Sequence, residues 1–147
     1  MSDARLVGLW EQAGMLHATG AVVPWPEGSL NASVREFFHF GADGRFVFGR
    51  FHCGATVTFD ETTGEFVTDG KWQEGRRGFW TLEGTNLIEV FFNGPEPVRS
   101  EVELGEIGSS RFVVNERTPI PGFALRVVYR RGIGAGDPYR PDGPRRA

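Results

Sequence analysis

The sequence predicts an all-β protein, a single antiparallel up-and-down β-barrel of eight to ten strands. Three observations point there. Gly, Pro, Asn and Asp interrupt the chain at short intervals, and the runs between them alternate or are rich in β-branched and aromatic residues. No segment longer than one turn has helical periodicity, so no helices are at hand to cover a sheet. An open meander would expose two edges and an apolar face, and closing the sheet on itself removes both problems.

The strands are expected, in order, at Leu6–Leu16, Val34–Phe40, Arg45–His52, Ala55–Asp60, Glu65–Gln73, Gly78–Glu83, Leu87–Phe92, Val98–Leu104, Arg111–Glu116 and Phe123–Arg131, with some neighbours merging. Alternation is clearest at Val98, Ser100, Val102 and Leu104, set against Arg99, Glu101 and Glu103. Between the first two strands, His17–Ser33 is a long link containing Pro24-Trp25-Pro26, expected to be a structureless lid or binding loop. A short helix is expected at its end, around Asn31–Val34, capped by Asn31 or Ser33. The barrel domain is assigned to residues 1–131. Residues 132–147, rich in Gly, Pro and Arg, are expected to form a disordered tail.

Composition bounds the function. With 147 residues the chain can bury a core without disulfides, and Cys53 is its single cysteine. Together with the lack of a signal-like or membrane-length apolar run, that points to a cytoplasmic protein. Net charge is −3 and the basic residues are scattered, which argues against nucleic-acid binding. Thirteen Phe and four Trp against two Tyr are unusual, and rings that large must pack together or line a pocket.

Gly8-Leu9-Trp10 in the first strand resembles the N-terminal Gly-x-Trp signature of lipocalins, the calycin-type barrels. The long loop after it, the Phe40-Gly41-Ala42-Asp43-Gly44-Arg45-Phe46 hairpin, Gly70-Lys71-Trp72 and Trp80-Thr81-Leu82 with its Gly84 turn are similar in layout to bacterial members of that family. The resemblance implies a barrel whose floor is closed by Trp10, with Arg131 or Arg130 packed across it. It lacks the disulfides of secreted lipocalins, and Glu11-Gln12 stands where an aromatic often follows the Trp.

The hairpin around Asp43 fixes a register. A three-residue loop with Gly44 left-handed makes Gly41 face Arg45, and the pairs continue as Phe40–Phe46, Phe38–Phe48, Glu36–Arg50 and Val34–His52. Glu36, Arg50 and His52 therefore share a face with four Phe rings. If that face is internal, a desolvated carboxylate lies beside a guanidinium and an imidazole, the kind of group whose pKa moves at functional sites. The alternative is a solvated ion pair at a strand end. Tyr129 alternates with Leu125 and Val127 and is a candidate inward donor, whereas Glu89 is assigned to the exposed face by default. Trp25 is either a rigid flap over the mouth or a plug. Phe38, Phe40, Phe46, Phe48, Trp72 and Trp80 are expected to line the ligand space, with the Trp residues also suited to core. His52 and Cys53 point to opposite faces, and no residues stand at metal-ligand spacing.

No reaction motif is present. The sequence supports binding of a small hydrophobic molecule, polycyclic or polyketide-like, in an aromatic pocket. The resemblance extends this to a cofactor-independent cyclase or isomerase of a natural-product pathway, in which Glu36, Arg50, His52 or Tyr129 polarises a carbonyl while the barrel orients a flexible substrate. A non-catalytic carrier, and a regulatory or homodimeric barrel with a filled interior, are the alternatives. No cofactor or metal is called for.

Overall fold

A computed structural model describes residues 4–69, 72–92, 94–117 and 124–133. Eleven strands lie among them: β1 (Gly8–Leu16), β2 (Val22–Val23), β3 (Val34–Phe40), β4 (Arg45–His52), β5 (Val57–Asp60), β6 (Glu65–Thr68), β7 (Trp72–Glu83), β8 (Asn86–Phe92), β9 (Pro97–Ile107), β10 (Arg111–Arg117) and β11 (Ala124–Arg131). Eight of these, β1, β3, β4 and β7 to β11, run antiparallel in chain order, and β11 pairs back onto β1 from Trp10↔Arg131 to Met15↔Val127. The sheet is thus closed, an up-and-down barrel without free edges in its wall. Among the described residues no helix is long and apolar enough to cross a membrane.

The β3–β4 hairpin has the expected register throughout, from Phe40↔Phe46 to Val34↔His52. Gly41 N–H donates to Arg45 O at 2.8 Å, and Gly44 takes φ +85°, which a Cβ would disfavour. Phe38, Phe40, Phe46 and Phe48 all turn inward and are buried. Phe40 lies 5.1 Å from both Phe38 and Trp80, and Phe112 stacks on Tyr129 at 5.0 Å. The lower interior is filled by rings in mutual contact, so most of the aromatic content is core.

At that end the first and last wall strands are locked together. The Arg131 guanidinium lies 4.1 Å over the Trp10 ring and donates to the carbonyls of Val7, Arg5 and Ser109. Gly8, at φ +131°, leaves room for it, since a Cβ there would sit 2.5 Å from Arg131 Nη1. Of the two arginines the resemblance offered, Arg131 is therefore the one across the floor. The turns 41–44, 84–85 and 108–110 share this floor end, and the 17–33 link lies at the opposite mouth.

Several expectations need correction. The segments read as fourth and fifth wall strands form a separate hairpin, β5–β6, outside the barrel. Its Val57, Phe59 and Phe66 pack on Phe37, Phe51, Leu9 and Val47, the outward residues of β1, β3 and β4, in a second core. Both faces of that wall are apolar, so alternation alone could not reveal a layer outside it. Beneath the hairpin, Arg35 and Glu11 form a two-pronged ion pair at 2.9 Å, and Arg35 Nη1 also donates to Ala55 O.

The long first loop has structure of its own: β2 pairs with Met15 and Leu16, and Leu30–Ser33 make a 3-10 turn. That turn is capped by Ser29, which accepts from Ala32 N–H, rather than by Asn31 or Ser33. Ile133, just beyond the assigned barrel boundary, packs against the second core. The rest of the expected tail, residues 134–147, the Gly70-Lys71 pair, the side chain of Trp72 and Phe123 lie outside the described residues.

Candidate functional site at the barrel mouth

Above the ring-filled floor, the inward positions change character. Gln12 on β1, Glu36 on β3, Arg50 on β4, Glu74 and Arg76 on β7, Glu89 on β8, Glu116 on β10 and Tyr129 on β11 make a polar layer. Each falls on the inward phase of its strand: Gln12, Glu36, Arg50, Glu89, Glu116 and Tyr129 lie two residues from the core side chains Trp10, Phe38, Phe48, Leu87, Val114 and Val127, and Arg76 and Glu74 lie four and six residues from Trp80. The titratable side chains of the interior lie in this layer, not in the Phe cluster.

Glu36 is its centre, only 5% exposed. Its Oε1 accepts from Arg50 Nε at 2.7 Å and closely contacts the same guanidinium's Nη2. Its Oε2 accepts from Gln12 Nε2 at 2.7 Å and from Tyr129 Oη at 3.2 Å. Gln12 Oε1 in turn accepts from Trp25 Nε1 at 2.7 Å, which fixes Trp25 in the interior cluster. Trp25 is thus a plug bonded into the layer. From Arg50 the chain of charges continues to Glu74 at 2.9 Å, then Arg76 at 3.7 Å, then Glu89 at 3.4 Å. The Arg76 guanidinium also covers the rings of Phe48 at 4.1 Å and Phe91 at 5.2 Å.

Burial sets the proton affinities. The Tyr129 hydroxyl is pushed well above its usual range, first by burial and then by the Glu36 carboxylate beside it, so it stays a donor. Burial raises the Glu89 carboxyl against the opposing pull of Arg76. Glu116, at the rim, is raised by burial and by Glu36, with Arg50 opposing. Burial works against the charge on Arg50, but Glu36 and Glu74 outweigh it and hold its pKa up.

The structure brings Glu36, Arg50, Tyr129 and Trp25 together, with Phe48 at their base. It does not bring His52 to them: at the exposed end of β4, its ring accepts from Gly54 N–H at 3.2 Å. Phe40, Phe46 and Trp80 lie deeper, with Trp80 Nε1 bonded to Gly41 O at 3.0 Å, and belong to the floor. Glu89, expected on the outer face, is buried inside. Sequence reasoning missed Gln12, Glu74, Arg76 and Glu116, although counting by twos from Trp10, Trp80 and Phe112 reaches each of them. A cleft of about 440 Å³ between β4, β7 and Phe92 reaches the layer at Phe48, Glu74 and Arg76. A larger one of about 610 Å³ lies outside the wall, between the β5–β6 hairpin and His39, Arg45, Arg77 and Phe79.

An eight-stranded up-and-down ring, closed first strand to last and floored by a Trp–Arg contact, defines a lipocalin-like barrel. No protein-family model matches the sequence, and no curated protein matches it. Among solved structures, a lipocalin-like protein from Bacteroides uniformis is similar, with 13% identity and a TM-score of 0.48, over 88% of this chain and 100% of that one.

Proposed function

We propose that the barrel binds a small, largely apolar molecule, polycyclic or polyketide-like, at its mouth. The apolar body rests against Trp25, Phe48 and Phe91, and its polar end meets the layer around Glu36, Arg50 and Tyr129. One observation supports this above others: charged side chains are turned into a barrel whose remaining interior is apolar and rich in aromatic rings. Burying ion pairs stabilises a fold less than apolar residues of the same size would, so their presence calls for another reason. Thermal denaturation with a panel of naphthalene, anthraquinone and flavone probes tests it, alongside native mass spectrometry of the purified protein. A ligand at a hundred times its Kd adds about 2.7 kcal/mol of stability. If no probe raises Tm and no small molecule co-purifies, the reading fails.

A catalytic version, cofactor-independent isomerisation or cyclisation, is supported by Tyr129 and Glu89, two inward groups whose burial favours the protonated form and hence proton donation. Glu36 is less suited to attack substrate, because Gln12, Tyr129 and Arg50 already occupy both of its oxygens. On this reading Glu89→Gln and Tyr129→Phe retain binding but lose turnover. A carrier would bind its ligand and release it unchanged.

A further inference from the structure

We infer that the ligand bound at this mouth presents a neutral carbonyl oxygen, carried on a flat aromatic body, and that the Arg76 guanidinium on β7 donates to it. The inference rests on the proposed binding reading and specifies the group that receives the ligand. Arg76 is bonded unlike the comparable arginines of the fold. Arg35, Arg50 and Arg111, all buried or half-buried, each donate from two or more nitrogens at 3.1 Å or less. Among the described residues the Arg76 side chain makes one hydrogen bond, and a long one, from Nη2 to Glu89 Oε1 at 3.4 Å. Its Nη1 stands 3.7 Å from Glu74 Oε1, too far for a hydrogen bond. Its Nε is buried and, among the described residues, has no partner.

A charged donor shut away from water without an acceptor is destabilising, and it calls for a partner from outside the chain. A route to it exists. The cleft of about 440 Å³ between β4 and β7 is lined by Phe48, Glu74, Arg76 and Phe92, with Gly75 presenting no side chain. The Arg76 side chain is 25% exposed, and a turn about its own bonds swings Nε–H toward an incoming oxygen. The surroundings select the acceptor's class. The guanidinium lies 4.1 Å over the Phe48 ring and 5.2 Å over Phe91, a setting that suits a flat aromatic body. Glu74 and Glu89 already face this cation, so an anionic ligand would meet two carboxylates for one guanidinium. An ammonium has no acceptor to offer Nε. An uncharged carbonyl satisfies the donor and adds no repulsion.

Three bicyclic probes separate the possibilities: 1-tetralone, tetralin and 1-naphthoate, with dissociation constants measured on the intact protein at neutral pH by ligand-observed NMR. The ketone is expected to bind about tenfold tighter than tetralin, the return on one hydrogen bond from a charged donor, and tighter than the naphthoate. Its carbonyl stretch, read by isotope-edited infrared difference spectra, should move to lower wavenumber on binding. Arg76→Met/Glu89→Gln removes the donor without leaving a buried carboxylate unpaired, and Arg76→Gln shortens it. Each should bring the ketone-to-tetralin ratio close to one and return the carbonyl band toward its position in free ligand. A ratio and band unchanged in whichever variant folds overturn the assignment to Arg76. Should tetralin match or exceed the ketone, the carbonyl is overturned while mouth binding stands, and a tighter naphthoate overturns the neutral class. If none of the three binds and none raises Tm, the binding reading itself falls.

Discussion

Glu11 and Arg35 offer a sharp test of how the outer hairpin is held to the barrel. Their side chains are 2% and 8% exposed, and the pair is two-pronged. Replacing Glu11 with Gln keeps the shape but leaves the Arg35 guanidinium buried beneath Ala55 without its counter-charge. Breaking a buried pair from one side typically costs about 3–5 kcal/mol. Because the Ala55 carbonyl and the Phe37 ring at 4.9 Å still support Arg35, about 3 kcal/mol is the better figure. A domain of this size has a total stability of roughly 5–15 kcal/mol. With a urea m-value of about 2 kcal/mol/M, the midpoint should fall by about 1.5 M, read by equilibrium denaturation. The double variant Glu11→Leu/Arg35→Met should recover most or all of the loss, since apolar replacements of a buried pair are often neutral or stabilising. Arg99→Ala, which breaks the exposed Arg99–Glu101 pair, should shift stability by less than about 0.5 kcal/mol. A Glu11→Gln midpoint indistinguishable from the parent, at unchanged m, would refute the claim that this pair is shielded from water.

Two further outcomes are expected. Gly8→Ala places a methyl group 2.5 Å from Arg131 Nη1 at a backbone angle that L-residues avoid, so it should cost about 1–3 kcal/mol and weaken protection of the β1–β11 amides in hydrogen exchange. His39, half-buried and stacked on Phe59 at 4.0 Å, has its pKa lowered by burial despite Glu61 and Asp43. The unfolded chain therefore takes up the proton first. His39's share of stability is complete above its free value of 6.5, falls as pH drops through the window below that, and levels off once the folded form is also protonated. Urea midpoints at stepped pH should show this slope, and His39→Gln should remove it.

The sequence was most informative where geometry left few choices. A three-residue loop with Gly44 admits one register, and all pairs from Phe40↔Phe46 to Val34↔His52 followed from it. The Trp10–Arg131 floor came through family resemblance, since nothing local links positions so far apart. The outer hairpin was illegible for a definite reason: Val57, Phe59 and Phe66 look like any half-buried strand, and which wall they cover depends on Phe37 and Phe51 pointing outward. Glu89 was misplaced because Leu87, Ile88, Val90 and Phe91 surround it with apolar residues on both phases. His52 has the correct phase but is the last residue of its strand, two beyond Arg50, where the side chain reaches water. Phase alone assigns a face; depth along the barrel requires the tilt of the whole wall.

The seam between β1 and β11 has a kinetic corollary. A ring cannot be shut until its final stave arrives, and here that stave is the last strand described, pairing with the first. During synthesis the nascent wall presents an unpaired β1 edge and an unroofed aromatic lining until β11 has been made. Such long-range closure makes folding slow, so this barrel should lean on chaperones more heavily than a helical domain of equal length.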